Sequence, residues 1–154
     1  MDFLGKPVDF GTKFIDHQPI LGSHKTWRGV IISMILGIIT AFIQKWLYQF
    51  DGPKSISIFD YQSINVLALG FLLSAGVVFG DLIFAFIKRR LMLKPGAMFI
   101  PFDQINYVIG GWLFLTPFFK IDRMIWVILF VLTPFLHLLT NRTGYLLGIH
   151  RNKW

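Results

Sequence analysis

Four long stretches of this sequence contain no charged residue. They are residues 29–44, 61–80, 104–119 and 124–141, which hold 16, 20, 16 and 18 residues. A helix that crosses the hydrocarbon core of a bilayer needs roughly 20 predominantly apolar residues, with about 17 as the lower bound, and flanking residues extend the two shorter stretches. The chain is 55% hydrophobic and only 15% charged, which leaves too little polar surface for a soluble helical protein. The sequence therefore predicts an integral membrane protein.

The predicted architecture is an all-α fold with about four transmembrane helices, in a single membrane-embedded domain that covers residues 1–154. The helices are expected at about 27–48, 64–90, 101–119 and 123–141. Within the second helix, Gly76 and Gly80 are small residues that let neighbouring helices approach closely in lipid. The Asp-Gly-Pro sequence at 51–53 predicts a turn, and Pro101 suits the first position of the third helix.

The distribution of basic residues predicts the orientation of the chain. With four crossings, three basic regions lie on the same side of the membrane, and they contain eleven of the fifteen lysines and arginines. These eleven residues are Lys6, Lys13, Lys25, Arg28, Lys88, Arg89, Arg90, Lys94, Arg142, Arg151 and Lys153. The positive-inside rule then places both termini and the loop 88–106 in the cytoplasm of a multi-pass protein of the cell membrane. The alternative is that these charges only set topology and attract anionic lipids, with no catalytic task.

Several kinds of chemistry are excluded by composition. The chain has no cysteine, which removes disulfides and thiolate nucleophiles or ligands, and no glutamate, so acidic chemistry depends on eight aspartates. The first twenty residues lack the apolar stretch of a signal peptide. No glycine-rich phosphate loop, nucleophile elbow or metal-binding histidine pair is present, and no nucleic-acid partner is expected.

Asp81 and Asp103 are the candidate metal ligands. Asp81 precedes Lys88 by seven residues, or roughly 10 Å of helix, which places the carboxyl group inside the membrane, where an ionisable residue is by default a functional candidate. Asp103 begins the third helix on the same side. The alternatives are a helix-locking ion pair for Asp81 and, for Asp103, a favourable charge at a helix N-terminus worth about 0.3–1 kcal/mol. Together the two carboxylates suit a hard cation such as Mg²⁺, and the surrounding basic residues suit phosphate, as in phosphoryl transfer.

Two weaker signals lie at other helix ends. Lys25 and Arg28 flank Trp27 just before the first helix, where the two cations suit phosphate and the tryptophan suits an interfacial anchor. His137 and Asn141 are four residues apart and share a face of the fourth helix. Such a polar pair serves either to hold helices together or to contact a ligand.

The order of these motifs resembles the CDP-archaeol synthase family, archaeal-type CTP:lipid-phosphate cytidylyltransferases related to CDP-diacylglycerol synthase. The matching segments are GKPVDFG (5–11), DHQPILG (16–22), KTWRG (25–29), GDLI (80–83), KRR (88–90), KPGA (94–97), DQ (103–104), His137 with Asn141, and Trp154. The resemblance covers nearly the whole chain. It implies Mg²⁺-dependent transfer of CMP from CTP to a 2,3-di-O-geranylgeranylglyceryl phosphate-type acceptor, which yields CDP-archaeol and pyrophosphate in phospholipid biosynthesis.

The resemblance also implies roles for individual residues. Asp81 and Asp103 would bind metal and act in catalysis together with Lys88. The substrate-binding residues would be Lys25, Arg28, Arg89, Lys94, Asp9, Asn106, His137 and Asn141, with the basic side chains on the phosphates and Asp9 near the nucleotide. The expected partners are CTP, the lipid phosphate and membrane lipids.

The sequence departs from the family pattern in three ways, which keep other interpretations open. Asn106 replaces a usual aspartate, Ala85 replaces a usual serine, and the additional N-terminal helix of the family is not in this sequence. Alternatives are a CDP-diacylglycerol synthase that uses phosphatidate, or an inactive homologue that only binds nucleotide or anionic lipid. A transporter would place polar groups at the midplane instead. The groove left by the additional helix is one that a second copy of the chain could fill, which leaves a homo-oligomer open.

Overall fold

The computed structural model describes residues 3–94, 97 and 99–148, and within these ranges the chain is helical without β-strands. A short 3-10 helix at Phe3–Gly5 begins the described chain. It is followed by α1 (Trp27–Leu47), α2 (Asp51–Ser55), α3 (Val66–Arg90), α4 (Phe102–Leu115) and α5 (Arg123–Leu146). The all-α class is confirmed.

Side-chain caps fix the starts of the three long helices. The Thr26 hydroxyl accepts a hydrogen bond from the amide of the third residue of α1 at 3.3 Å, and the Asn65 side chain does the same for α3 at 3.1 Å. The Asp122 carboxylate accepts from the amide of Met124 at 2.7 Å. Each cap satisfies one backbone donor that a helix start otherwise leaves unpaired.

Three predicted segments need correction. The first two long helices end or begin within two residues of the prediction, but residues 51–53 belong to the one-turn helix α2 instead of a simple turn. The predicted helix 101–119 is shorter, at Phe102–Leu115, and Pro101 is its N-cap. The predicted helix 123–141 continues to Leu146.

Among the described residues, the three helices α1, α3 and α5 are long and apolar enough to cross a membrane. The 14 residues of α4 extend over about 21 Å, less than the roughly 30 Å of a hydrocarbon core. The described chain is therefore a multi-pass membrane protein by its helices, and the count of four crossings stays a prediction.

Glycines bring α3 into direct backbone contact with its two neighbours. A Cβ atom on Gly70 would lie 2.9 Å from the Cα of Ile38 on α1, and a Cβ on Gly76 would lie 2.6 Å from the carbonyl oxygen of Gly110 on α4. One turn further along α3, a Cβ on Gly80 would overlap the carbonyl oxygen of Asn106. The predicted role of small residues is confirmed, and the contact at Gly80 holds the adjacent residues of α3 close to the start of α4.

Candidate functional site

A pocket of about 250 Å³ lies at the end of the molecule where α1 and α4 begin and α3 ends. We call it the charged pocket, because its described lining includes three cationic, two anionic and one amide side chain. These side chains are Lys25, Asp81, Lys88, Arg89, Asp103 and Asn106. The structure thus brings together six of the predicted site residues from the segment before α1, from α3 and from α4.

Two lysine–aspartate pairs join the helices around the charged pocket. The Lys25 ammonium donates to both carboxylate oxygens of Asp81 at 2.6 Å. The Lys88 ammonium donates to the two oxygens of Asp103 at 2.9 and 3.1 Å, and the amide of Phe99 adds a third hydrogen bond to Asp103 at 2.9 Å. The Asp81 side chain is still 45% exposed and that of Asp103 30% exposed. Asp81 therefore locks α3 to the segment before α1 and also remains accessible to a ligand.

Arg89 supplies positive charge that no carboxylate of the described chain neutralises by an ion pair. The residue is only 6% exposed. Its Nη2 donates to the carbonyl oxygen of Lys94 at 3.3 Å, and its Nε has no hydrogen-bond partner within the described residues. A buried cation without a counter-charge is costly, and an anionic ligand in the pocket would lower that cost.

The donor chemistry of the charged pocket fits a hard divalent cation. Asp81 and Asp103 offer carboxylate oxygens, Asn106 offers an amide oxygen, and Mg²⁺ is usually bound by one or two carboxylates together with waters and substrate phosphates. The described residues contain no group of three histidine, cysteine, aspartate or glutamate side chains that could hold a metal alone. A metal here would therefore depend on substrate for part of its coordination.

The segment before α1 is folded so that Lys25 faces α3. The amide of Val8 donates to the carbonyl oxygen of Lys25 at 2.7 Å. Asp9 accepts hydrogen bonds from the amides of Leu21 at 2.8 Å and Gly22 at 3.2 Å. Burial acts to raise the pKa of Asp9, but these hydrogen bonds, together with the one from the amide of Gly11, hold that pKa below its usual value of 3.8. Asp9 is not among the described lining residues, and its visible task is to shape the loop that borders the pocket.

Arg90 fastens the same loop to the end of α3. Its guanidinium lies 3.0 Å from the Asp16 carboxylate and donates to the carbonyl oxygen of Pro19 at 2.6 Å. It also lies between the rings of Phe14 and Phe86, at 4.9 and 4.8 Å from their centroids. Sequence reasoning grouped Arg90 with the basic run and missed this role. The acidic and aromatic residues upstream were the available signal.

The other predicted site residues lie elsewhere. His137 and Asn141 contact each other on α5, with the amide nitrogen 3.2 Å from Nδ1 of the histidine, and neither lines the charged pocket as described. Arg28, in the first turn of α1, is likewise not among its lining residues, and Lys94 contributes its backbone carbonyl to Arg89. Of the motif residues, Pro95, Gly96 and Trp154 lie outside the described chain, as do Arg151 and Lys153 of the predicted cytoplasmic set.

Two residues that line the charged pocket, His24 and Ala85, were not among the predicted site residues. His24 lines the charged pocket and was not predicted to do so. Ala85, one of the two departures from the family pattern, is in the wall with Asn106, the other departure. Both departures therefore bear on whatever the pocket binds.

The fold and the pocket define a class: an all-helical, multi-pass membrane protein with a charged pocket between its helix ends. The sequence matches the family described as "CarS-like: CDP-archaeol synthase" over residues 3–154. It is 35% identical to CDP-archaeol synthase of Methanosarcina barkeri, over 97% of this chain and 91% of the relative. It is 37% identical to that of Methanococcus maripaludis, over 97% and 84%, and 36% identical to that of Pyrobaculum aerophilum, over 96% and 82%.

A solved structure shares the fold. It is described as an intramembrane enzyme for archaeal membrane lipids biosynthesis, and it superposes with a TM-score of 0.65 at 20% identity, over 88% of this chain and 78% of the other. The chain belongs to the CDP-archaeol synthase family, and the predicted resemblance is confirmed. It is accordingly a membrane-embedded transferase of lipid biosynthesis.

Proposed function

We propose that the chain transfers CMP from CTP to a lipid phosphate of the 2,3-di-O-geranylgeranylglyceryl type in a Mg²⁺-dependent reaction, which yields CDP-archaeol and pyrophosphate. The observation that carries the proposal is the charged pocket. It joins a buried arginine and two lysine–aspartate pairs at helix ends, in a chain whose family is named for this product.

The reaction needs positioning and charge neutralisation more than covalent chemistry by the protein. An oxygen of the lipid phosphate attacks the α-phosphorus of CTP. The bond between that phosphorus and the oxygen bridging to the β-phosphorus breaks, and pyrophosphate leaves with the electron pair. The attacking phosphate is already anionic, so the step requires no protein nucleophile and no general base.

The basic side chains of the pocket are suited to bind the two phosphate-bearing substrates. Lys25 presents an ammonium group from the segment before α1, Lys88 presents one from α3, and Arg89 presents a planar donor fork. Asp81, Asp103 and Asn106 would hold Mg²⁺. When bound, that ion neutralises charge on the phosphates and orients them. The lysines that now hold the two carboxylates would then be available to the substrate oxygens.

The decisive test is CDP-lipid formation from radiolabelled CTP in lipid with Mg²⁺, with the isoprenoid acceptor and phosphatidate run in parallel. We expect product with the isoprenoid acceptor. Asp81→Asn and Asp103→Asn should each lower the rate by about 100-fold or more, since a pre-organised charge interaction at a reacting phosphate has that weight. Asp51→Asn, at the far end of the molecule in α2, is the matched control and should leave the rate unchanged.

The outcomes separate the alternatives. Product only from phosphatidate would identify a CDP-diacylglycerol synthase. No product from either acceptor would sink the enzymatic proposal and favour a homologue that only binds nucleotide, as Ala85 and Asn106 in the pocket wall would then explain. Full activity in Asp81→Asn would refute the metal assignment while the transferase proposal survived.

We further propose that the charged pocket opens to the cytoplasm of a cell membrane, as the basic residues indicate. The chain contains no cysteine, so single cysteines report sidedness cleanly. In right-side-out vesicles, an impermeant maleimide should label Ser55→Cys, beyond α1, and should spare Ser23→Cys, beside the pocket. The reverse labelling pattern would show that the charged pocket opens to the opposite side of the membrane.

A further inference from the structure

Two further cavities continue from the charged pocket along α3. A side cleft of about 200 Å³ between the start of α1 and α3 shares His24, Lys25 and Asp81 with the charged pocket. A larger cavity of about 510 Å³, which we call the apolar chamber, shares Val77 with the side cleft. The three spaces thus form a series in which each has wall residues in common with the next.

The apolar chamber is lined mainly by hydrocarbon side chains. Leu73 and Val77 of α3 face Val108 and Leu115 of α4 and the α5 side chain Trp126 across it. Such a cavity has the size and lining of a small-molecule site. It has no place in the chemistry proposed for the charged pocket, because its walls offer no charged group.

The far end of the apolar chamber is bounded by a polar contact. The Tyr61 hydroxyl donates to the Gln44 side-chain oxygen at 2.8 Å, and the Tyr48 ring lies 5.6 Å from the Tyr61 ring. All three side chains line the chamber. From Asp81 back to Val66, near this end, α3 extends over about 22 Å, which is most of the roughly 30 Å thickness of a hydrocarbon core.

We propose that the apolar chamber binds the hydrocarbon tail of the lipid acceptor, with the phosphate at Lys25 and Asp81 and the tail running past Val77. This inference rests on the proposed function and adds the site of the tail. The series of shared wall residues supports a tail as the occupant, because the side cleft borders the chamber at Val77 and also contains Lys25 and Asp81, which would bind the phosphate. The contact between Tyr61 and Gln44 then limits the length of tail that fits.

The test adds bulk at Val77, the residue that the side cleft and the apolar chamber share. Val77 is 39% exposed, and Val127, on α5 outside all three spaces, is 54% exposed. Val77→Trp should obstruct the chamber at this border, and Val127→Trp adds the same bulk to the outer surface as a control. Val77→Phe is a milder second variant should the tryptophan disturb folding, which thermal unfolding would reveal.

The first measurement does not depend on activity. A lipid phosphate with a photoactivatable diazirine at the end of its tail is bound in nanodiscs and irradiated, with unlabelled lipid phosphate as competitor. We expect competed adducts on wall segments 56–61 and 121–129, reduced at least about fivefold in the Val77 variants and unchanged in Val127→Trp. Adducts spread evenly over the outer faces of α1 and α5, or chamber adducts unchanged by the Val77 variants, would overturn the proposal. Competed adducts absent from both wall segments, as expected if a partner chain filled the chamber, would also overturn it.

The second measurement compares acceptors with long and short tails. The Val77 variants should lose at least about tenfold in kcat/KM for the long-tailed acceptor, because that tail loses its apolar burial, and should retain the short-tailed one. Equal losses for both acceptors would count against the tail site. If the wild type turns over neither acceptor, the proposed function fails, and the photolabelling still decides whether the chamber binds a tail.

Discussion

Replacing Gly110 with alanine should separate α3 from α4 and destabilise the protein. A Cβ at Gly110 would overlap the carbonyl oxygen of Gly76 and would lie 2.7 Å from its carbonyl carbon and 3.1 Å from the amide nitrogen of Gly80. All three atoms belong to the backbone of α3, so no side-chain rotation relieves the overlap. The neighbouring residue Gly111 is the matched control, because a Cβ there meets nothing within 4 Å.

The comparison of Gly110→Ala with Gly111→Ala isolates the free-energy cost of the overlap between α3 and α4. Alanine is more favourable than glycine inside a helix by about 0.8–1.0 kcal/mol, and that gain applies equally to Gly110→Ala and Gly111→Ala. Overpacking costs about 1–3 kcal/mol and applies to Gly110 alone. The two variants should therefore differ by about 1–3 kcal/mol, which corresponds to roughly 2–12 °C in the unfolding midpoint of a chain of this size.

The assay is thermal unfolding of both variants in the same detergent, with tryptophan fluorescence as the readout. Gly111→Ala should unfold at or above the wild-type temperature and Gly110→Ala below it. Equal midpoints for the two variants would refute the reasoning, because they would show that α3 and α4 do not pack through these glycines. The same displacement should lower CDP-lipid formation, since it moves Asp103 on α4 away from Asp81 on α3.

Three further predictions concern the pocket and the loop beside it. Arg90→Lys keeps the charge but loses the planar donor fork and the ring stacking, whereas Asp16→Asn loses only the ion pair. Trypsin should therefore cleave the loop before α1 faster in Arg90→Lys than in Asp16→Asn. Equal cleavage rates would contradict the stacking role. The amide NMR shift of Leu21 should titrate with a midpoint below pH 3.8, since hydrogen bonds lower the pKa of Asp9 from its usual 3.8. The contribution of Asp9 to loop stability is complete above pH 3.8 and is lost as the pH falls through the lowered pKa. A midpoint at or above 3.8 would show that the hydrogen bonds do not form. Asn106→Asp adds a carboxylate to the pocket and should lower the Mg²⁺ concentration that gives half-maximal activity; an unchanged requirement would remove Asn106 from the metal site.

The long helices were predictable because burial in lipid leaves a direct record in sequence. Charge-free stretches located α1, α3 and α5. The end of α5 was missed because Arg142 was taken as the end of the helix, whereas a charge at the interface ends only the apolar span. The third predicted helix was placed too long because residues 104–119 are uncharged, but Pro117 lacks the amide that would continue the ladder.

The short helix α2 was missed for a related reason. Asp-Gly-Pro is a strong turn signal, yet Pro53 lies in the first turn of a helix, where its missing amide costs nothing. A turn and a single helical turn differ by only a few hydrogen bonds, so local sequence does not separate them. This error does not move the charged pocket, because α2 lies at the opposite end of the molecule.

The residues of the charged pocket were largely predictable from the sequence, but the ion pairs that they form were not. Motif order identified Asp81, Asp103, Lys88 and Arg89 as a set, but the contact of Lys25 with Asp81 joins residues 56 positions apart. Such a contact depends on how the segment before α1 folds back, which no periodicity records. His137 and Asn141 show the converse, because their spacing predicted their contact with each other and gave no information about the pocket.

The basic run 88–90 shows how helix geometry divides a motif. Successive residues of an α-helix point about 100° apart, so three consecutive cations cannot face one ligand. Lys88 and Arg89 line the charged pocket, and Arg90 turns to the loop that carries Asp16. That loop continues to Lys25. Arg90, which is not among the described lining residues, therefore holds in place the segment that supplies the third cation of the pocket. In the fold, this run of three cations therefore supplies two residues that line the pocket and one that anchors the segment carrying Lys25.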